Sequence, residues 1–112
     1  MSLLWVTANG IKPVTRHVSH TELADMYSAD YDTKMSKVLP EMRAAEDDDR
    51  HPEYEKHGGP DQYVTHLAKD IAANGLREPI EVRGGNVVTQ GHHRGLAAMK
   101  LRMAKIPIHD YR

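Results

Sequence analysis

The chain has 112 residues, the size of one domain, and lacks cysteine, so it cannot form disulfides, use thiol chemistry or bind zinc through thiolates. It has no apolar run near the roughly 20 residues that span a bilayer, so we expect no membrane span. No basic segment precedes an apolar N-terminal stretch, so we expect no signal peptide and a cytoplasmic location. Its 15 basic and 16 acidic residues give a net charge of −1, which argues against a protein that coats DNA.

The N-terminal segment combines β-branched residues with turn residues. Residues 3–18 therefore predict one or two short strands. The apolar cluster at residues 3–6 is predicted to join the core, and the alternative is a surface patch for a partner protein or a homodimer.

Two helices are predicted next. Ser19 and Glu22 fit a capping box, in which each side chain satisfies a backbone N–H that a helix start leaves free, so a short helix should run to about residue 27. The segment 33–45 predicts a second helix, which Pro40 would kink or divide. The following segment, 46–60, is acidic and contains proline and glycine, so it predicts a solvated loop or a mobile segment.

The second half of the chain has clearer periodicity than the first. Apolar residues recur at helical spacing or alternate as in a half-buried strand, and glycines mark the turns. The predicted elements are a helix from Val64 to Asn74-Gly75, a strand 79–83, a turn at Gly84-Gly85, a strand 86–90, a helix that begins after Gly91, and a short strand 106–108. Pro107 would place that last strand at a sheet edge, because proline cannot donate to a ladder. We therefore predict a single α+β domain over residues 1–112, with a small mixed sheet flanked by helices.

The junction between the second hairpin strand and the next helix is a candidate anion site, Gly91-His92-His93-Arg94-Gly95. A helix start exposes unpaired N–H groups and carries about half a positive charge, and Gly91 would let a ligand approach the backbone. Arg94 could bind two phosphate oxygens, while His92 and His93 add donors and either could carry a proton. The alternative is a turn glycine followed by solvent-facing polar residues.

The charges are unevenly distributed. Residues 1–66 contain 7 basic and 12 acidic residues, a net charge of −5, whereas residues 67–112 contain 8 and 4, a net charge of +4. Such asymmetry can mark the side on which an anion binds, and the alternative is that two halves of one domain complement each other.

Several motifs of the second half occur together in a known family. They are a helix that ends at Asn74-Gly75-Leu76, a Pro79-Ile80-Glu81-Val82 strand, a Gly91-x-x-Arg94 loop that opens an alanine-rich helix, and a closing Ile106-Pro107-Ile108 strand. In order and spacing the segment 64–109 resembles the N-terminal domain of ParB proteins, of the ParB/sulfiredoxin superfamily. We treat it as a ParB-like core.

The resemblance implies a nucleotide-phosphate site at Gly91 to Gly95, with Mg²⁺ and a nucleoside triphosphate as cofactors. It also implies that Glu78 faces the same pocket, where its carboxylate would bind Mg²⁺ or act as a base; the alternative is an exposed residue at a strand start. Glu78 and His93 are then the candidate catalytic residues, for nucleotide hydrolysis or metal-dependent DNA cleavage.

The sequence also departs from the family. Sulfiredoxins need a cysteine in the phosphate loop, so sulfinic-acid repair is excluded. The Glu-Asn-x-x-Arg segment and the helix-turn-helix module of chromosome-partition ParB proteins are not found after the closing strand, so we do not expect a CTP-switched DNA clamp. What remains resembles a stand-alone ParB-like domain of phages and plasmids, a type often labelled a nuclease, which would act in the host-cell cytoplasm if phage-encoded.

Two further interpretations stay open. Arg94, Lys100, Arg102 and Lys105 lie on or after the last helix and either contact DNA phosphates or form its solvent-exposed face. The alternative function is a small interaction protein that kept the fold without catalysis and binds a host protein or DNA.

Overall fold

The structure is a computed structural model that describes residues 12–45 and 51–111. Within these ranges six strands form one mixed sheet, and five α-helices are present. The strands are β1 Val14–Val18, β2 Tyr27–Ser28, β3 Thr33–Lys34, β4 Ile80–Arg83, β5 Val87–Gln90 and β6 Ile106–Tyr111. The helices are α1 His20–Asp25, α2 Val38–Ala45, α3 Pro52–His57, α4 Pro60–Asn74 and α5 His92–Lys100, with a 3₁₀ helix at Met35–Lys37. The predicted α+β class is confirmed.

The strand order is β1-β6-β4-β5-β2-β3, in which β6 pairs with β1 antiparallel and with β4 in parallel. The prediction that β6 is an edge strand is therefore wrong. Pro107 is opposite His17 in the β1 ladder, whereas the ladder to β4 begins one residue later, at Ile108. An interior strand tolerates this proline because no residue of β4 is paired with it.

The capping box of α1 is confirmed. Ser19 Oγ accepts the N–H of Glu22 at 3.1 Å, and a Glu22 carboxylate oxygen accepts the N–H of Ser19 at 3.3 Å. The helix prediction for 33–45 is partly wrong, because residues 33–34 form β3 and the α-helix begins only at Val38. Pro40 therefore lies in the first turn of α2, where a proline leaves no hydrogen bond unmade.

The predicted loop at 46–60 is wrong over Pro52–His57, which is helix α3. Pro52 lies at the first helical position, His51 Nδ1 accepts the N–H of Glu53 at 3.2 Å, and Gly58 ends the helix in a left-handed conformation at φ +98°. Burial of Tyr54 holds this polar helix against the molecule. Residues 46–50 lie outside the described residues, as do residues 3–11 of the predicted N-terminal strands and apolar cluster.

The core fills the space between the helices and one face of the sheet. Its fully buried members come from both halves of the chain: Leu23, Met35, Val38, Val82, Val88, Ala97, Ile80, Ile106 and Ile108. The predicted hairpin turn is confirmed, with both of its glycines at positive φ, and the Gly85 N–H donates to the buried carboxylate of Asp110 at 3.0 Å. Arg16 approaches the same carboxylate at 3.4 Å, so this contact joins β1, β6 and the hairpin.

No helix in the part of the chain that the structure describes is long and apolar enough to cross a membrane.

Candidate functional site

The junction of β5 and α5 exposes the N-terminus of a nine-residue helix. Gly91 is the N-cap, in the left-handed region at φ +88°, and it supplies no side-chain cap. A Cβ at this position would lie 3.0 Å from Arg94 Nη2 and 3.1 Å from Ile80 Cδ1. Glycine therefore leaves room here for Arg94 and Ile80 to pack against the loop. It also leaves the N–H groups of the first turn without a side-chain cap from the N-cap residue, as an anion site requires.

Arg94 folds its guanidinium back over Gly91. Its Nε is buried without a hydrogen-bond partner among the described residues, and Nη1 lies 3.4 Å from Glu78 Oε2. The Arg94 side chain is one-third exposed, whereas that of Glu78 is 75% exposed. The cation at the helix start is therefore only partly neutralised.

The two histidines of the loop have different environments. His93 Nε2 hydrogen-bonds Tyr54 Oη at 2.8 Å, and the His93 ring lies 4.9 Å from the His51 ring and 5.0 Å from the Tyr63 ring. Burial, followed by the nearby imidazoles of His51 and His92, lowers the pKa of His93 to about 4. His93 is therefore neutral near pH 7.

His92 is the more deeply buried of the two. Its Nε2 hydrogen-bonds Ser28 Oγ at 2.7 Å, and its Nδ1 lies 3.6 Å from Asp30 Oδ2. Burial lowers the pKa of His92, and the charge of Asp30 opposes that shift. The order Ser28, His92, Asp30 is that of a nucleophile triad, but Ser28 is fully buried and does not line the cavity described next, so it is not an accessible nucleophile.

A cavity of about 550 Å³ opens in front of the helix start. Its floor is the loop itself, and its walls come from the β2–β3 turn, α2, the residue before α3, and α4. The lining residues are Asp30, Tyr31, Met42, His51, Tyr63, Thr89, Gln90, Gly91, His92, His93 and Arg94. One end thus offers anion-binding groups, while the rest offers aromatic rings and one carboxylate.

The predicted site residues fall into three groups. Four of them line the cavity together: Gly91, His92, His93 and Arg94. Glu78 does not line it, and in the described part of the chain it meets the site through its ion pair with Arg94. The Gly95 N–H donates to the Gly91 carbonyl at 2.7 Å, and a Cβ on Gly95 would lie 3.2 Å from Met35 Cε, so this glycine serves helix packing.

The remaining basic residues lie elsewhere. Lys100, Arg102 and Lys105 are exposed at and beyond the far end of α5, about 13 Å along the helix from its start. Lys100 lies six residues after Arg94, about 9 Å along the helix axis, so the four predicted DNA-contacting residues are spread along and beyond α5. Across residues 12–45 and 51–111, no group of three or more histidine, aspartate or glutamate side chains is arranged to hold a metal ion.

Sequence reasoning missed four residues that line the cavity, Asp30, Tyr31, His51 and Tyr63. It also missed the hydrogen-bond partners of the two histidines, Ser28 and Tyr54. Proline at position 52 and glycine at position 58 are signals that would have located helix α3. No local pattern indicates that Ser28 and Tyr54 contact histidines that lie 64 and 39 positions away along the chain.

Comparison with known proteins identifies the fold. No protein-family model matches the sequence, and no curated protein matches it significantly. Among solved structures, sulfiredoxin from Arabidopsis thaliana matches with a TM-score of 0.51 and 18% sequence identity, over 88% of this chain and 84% of that one. A likeness at this identity is one of fold. The chain therefore has a sulfiredoxin-like fold.

Proposed function

We propose that this protein binds a nucleotide, with the phosphates at the N-terminus of α5 and the nucleoside in the adjoining cavity. The observation that carries the proposal is the loop geometry: an N-cap glycine without a side-chain cap, beside an arginine whose buried Nε has no partner in the described part of the chain. A phosphate oxygen supplies the acceptor that this Nε and the free N–H groups lack.

The shape of the site favours a mononucleotide over a DNA backbone. A cavity of about 550 Å³ is within the size range of small-molecule sites, and its aromatic walls, Tyr31, His51 and Tyr63, suit a planar base. A DNA backbone would need a longer basic track, and the exposed cations Lys100 and Arg102 lie at the other end of the helix.

Binding is better supported than turnover. A general base works best when its pKa is near the working pH, and burial lowers the pKa of His93 to about 4, so it would accept a proton from an attacking water only weakly. Glu78, the other predicted catalytic residue, is engaged with Arg94 at 3.4 Å on the outer side of the loop. We therefore propose that binding is the main function and that nucleotide hydrolysis or DNA cleavage is at most a slow side activity.

The test is a thermal-shift panel of ATP, CTP, GTP, ADP and inorganic phosphate, each with and without Mg²⁺. A ligand at 100 times its Kd stabilises the fold by about 2.7 kcal/mol, and Tm should rise by several degrees. In Arg94→Ala we expect the shift to disappear while the melting curve of the free protein changes little, because that side chain is one-third exposed.

Lys100→Ala is the matched control, since it removes one positive charge from the exposed far end of the same helix. It should retain the nucleotide shift. If both variants lose the nucleotide-induced rise in Tm equally, the rise depends only on the net charge of the protein, and the proposed site is contradicted. A flat panel for the unmodified protein would contradict nucleotide binding and favour the interaction protein.

A further inference from the structure

We infer that His92 Nδ1 and Asp30 Oδ2 form one side of a divalent-metal site, in which the metal bridges the protein to the phosphate of the bound ligand. The inference rests on the proposed function only in that a phosphate completes the coordination. Both residues line the cavity that Arg94 also lines.

The distance between the two atoms is the first argument. At 3.6 Å they are too far apart for a hydrogen bond. Two metal–ligand bonds of about 2.1 Å at a tetrahedral angle separate their donor atoms by about 3.4 Å, so only a small closure brings both onto one cation.

The orientation of His92 is the second argument. Ser28 Oγ accepts the N–H of Tyr31 at 3.1 Å and has a second lone pair that can accept Nε2–H of His92 at 2.7 Å. That tautomer leaves the Nδ1 lone pair directed at the cavity. Histidines that bind metals almost always have the second ring nitrogen fixed in this way by a hydrogen bond.

Electrostatics supply the third argument. The Asp30 carboxylate, whose side chain is 63% exposed, lies beside the residue that begins α5 and so close to the proposed phosphate site. The Asp30 carboxylate and a bound phosphate would repel each other. A divalent cation between them attracts both and removes that repulsion. A protein that offers one nitrogen and one oxygen leaves the other coordination positions to water and phosphate.

The donor set indicates the class of metal. Imidazole nitrogen favours transition metals, and carboxylate and phosphate oxygens suit manganese and magnesium, so Mn²⁺ or Zn²⁺ fits the pair better than Mg²⁺ does. Glu78, the metal ligand predicted from the sequence resemblance, pairs with Arg94 and does not line the cavity. Asp30 lines the cavity and is therefore the proposed carboxylate ligand.

The experiment compares the unmodified protein with Asp30→Asn and, as the matched carboxylate control, Glu78→Gln. Calorimetry measures the Kd of ADP in EDTA and in MnCl₂. We expect Mn²⁺ to tighten ADP binding about tenfold or more in the unmodified protein and in Glu78→Gln, because the cation links the phosphate to His92 and Asp30. In Asp30→Asn that gain should vanish, whereas metal-free binding should become about threefold tighter because a repulsive charge is gone.

A second measurement separates failure of this site from failure of the proposed function. Substoichiometric Mn²⁺ alone, without nucleotide, should broaden the assigned imidazole NMR signals of His92 in the unmodified protein and not in Asp30→Asn. If ADP fails to bind under any condition, the proposed function is wrong, and the broadening still decides the metal site. A manganese gain retained by Asp30→Asn, or the same broadening in both proteins, would overturn the inference.

Discussion

The two ends of the cavity are built in different ways. The anion-binding loop, Gly91 to Arg94, is one contiguous stretch at a strand-to-helix junction, whereas the surrounding wall residues Asp30, His51 and Tyr63 come from three distant parts of the chain. Local backbone geometry creates the first region, and tertiary packing creates the second. The difference teaches that a general capacity to bind anions can be encoded locally, while the shape that selects a ligand depends on the whole fold.

Substitution of Gly91 tests the local end and should have the largest effect. Gly91→Ala should lower the free energy of unfolding by about 3 kcal/mol, because it combines a left-handed alanine with contacts of 3.0 and 3.1 Å to neighbouring side chains. Gly84→Ala is the control, since Gly84 also has positive φ, at +61°, but no atom lies within 4 Å of a new Cβ. It should cost about 1 kcal/mol. Urea denaturation measures both, and equal losses would contradict the close packing at Gly91.

The pH dependence of stability tests how the distant wall affects the loop. The pKa of His93 is about 4 in the folded protein and 6.5 in its ordinary state, so below pH 6.5 the unfolded chain binds a proton that the folded chain does not. The contribution of His93 is therefore complete above pH 6.5 and is lost as the pH falls towards 4. With allowance for partial solvent access, the loss should be about 2 kcal/mol.

The contribution of His93 to the free energy of unfolding can be isolated by urea denaturation. The unmodified protein and His93→Asn are each measured above pH 6.5 and near pH 4. The carboxylates and the other histidines titrate in both proteins, so the difference between the two pH profiles belongs to His93. Parallel profiles would show that the His51 and Tyr63 side of the cavity does not desolvate His93.

Removal of the Tyr54 hydroxyl tests the contact between α3 and the loop, and of the three substitutions it should change the free energy of unfolding least. Tyr54→Phe removes the 2.8 Å hydrogen bond to His93 Nε2 and should destabilise the protein by about 1 kcal/mol. Tyr27→Phe, which removes an exposed hydroxyl bonded to Asp32 at 2.8 Å, should change the unfolding midpoint less. The reverse order would mean that α3 contributes little to holding the loop.

Much of the fold could be predicted where the signals lie within a few residues of one another. The capping box at Ser19, the Gly84-Gly85 hairpin turn and the helix that ends at Asn74 each depend on local geometry, and each is confirmed. The errors have a tertiary cause. Pro107 lies in an interior strand because β4 begins its ladder one residue later, and Pro52–His57 is helical because the burial of Tyr54 outweighs its polar composition.

The candidate site divides in the same way. The loop could be predicted from glycine, arginine and a helix start, whereas the partners of His92 and His93 could not. Ser28 lies in a two-residue strand and Tyr54 in a six-residue helix, elements too short to show periodicity. Only the completed fold indicates that the two adjacent histidines face different surroundings.

The pairing of β1 with β6 has a consequence for how the protein is made. Val14 is opposite Asp110 in that ladder, and Arg16 reaches the same aspartate, 94 positions away along the chain. Among the strands of residues 12–45 and 51–111, β1 pairs only with β6, so during synthesis on the ribosome this ladder can form only after residues 106–111 have been translated. Contacts this distant along the chain slow folding, so we expect the β1–β6 ladder to form late.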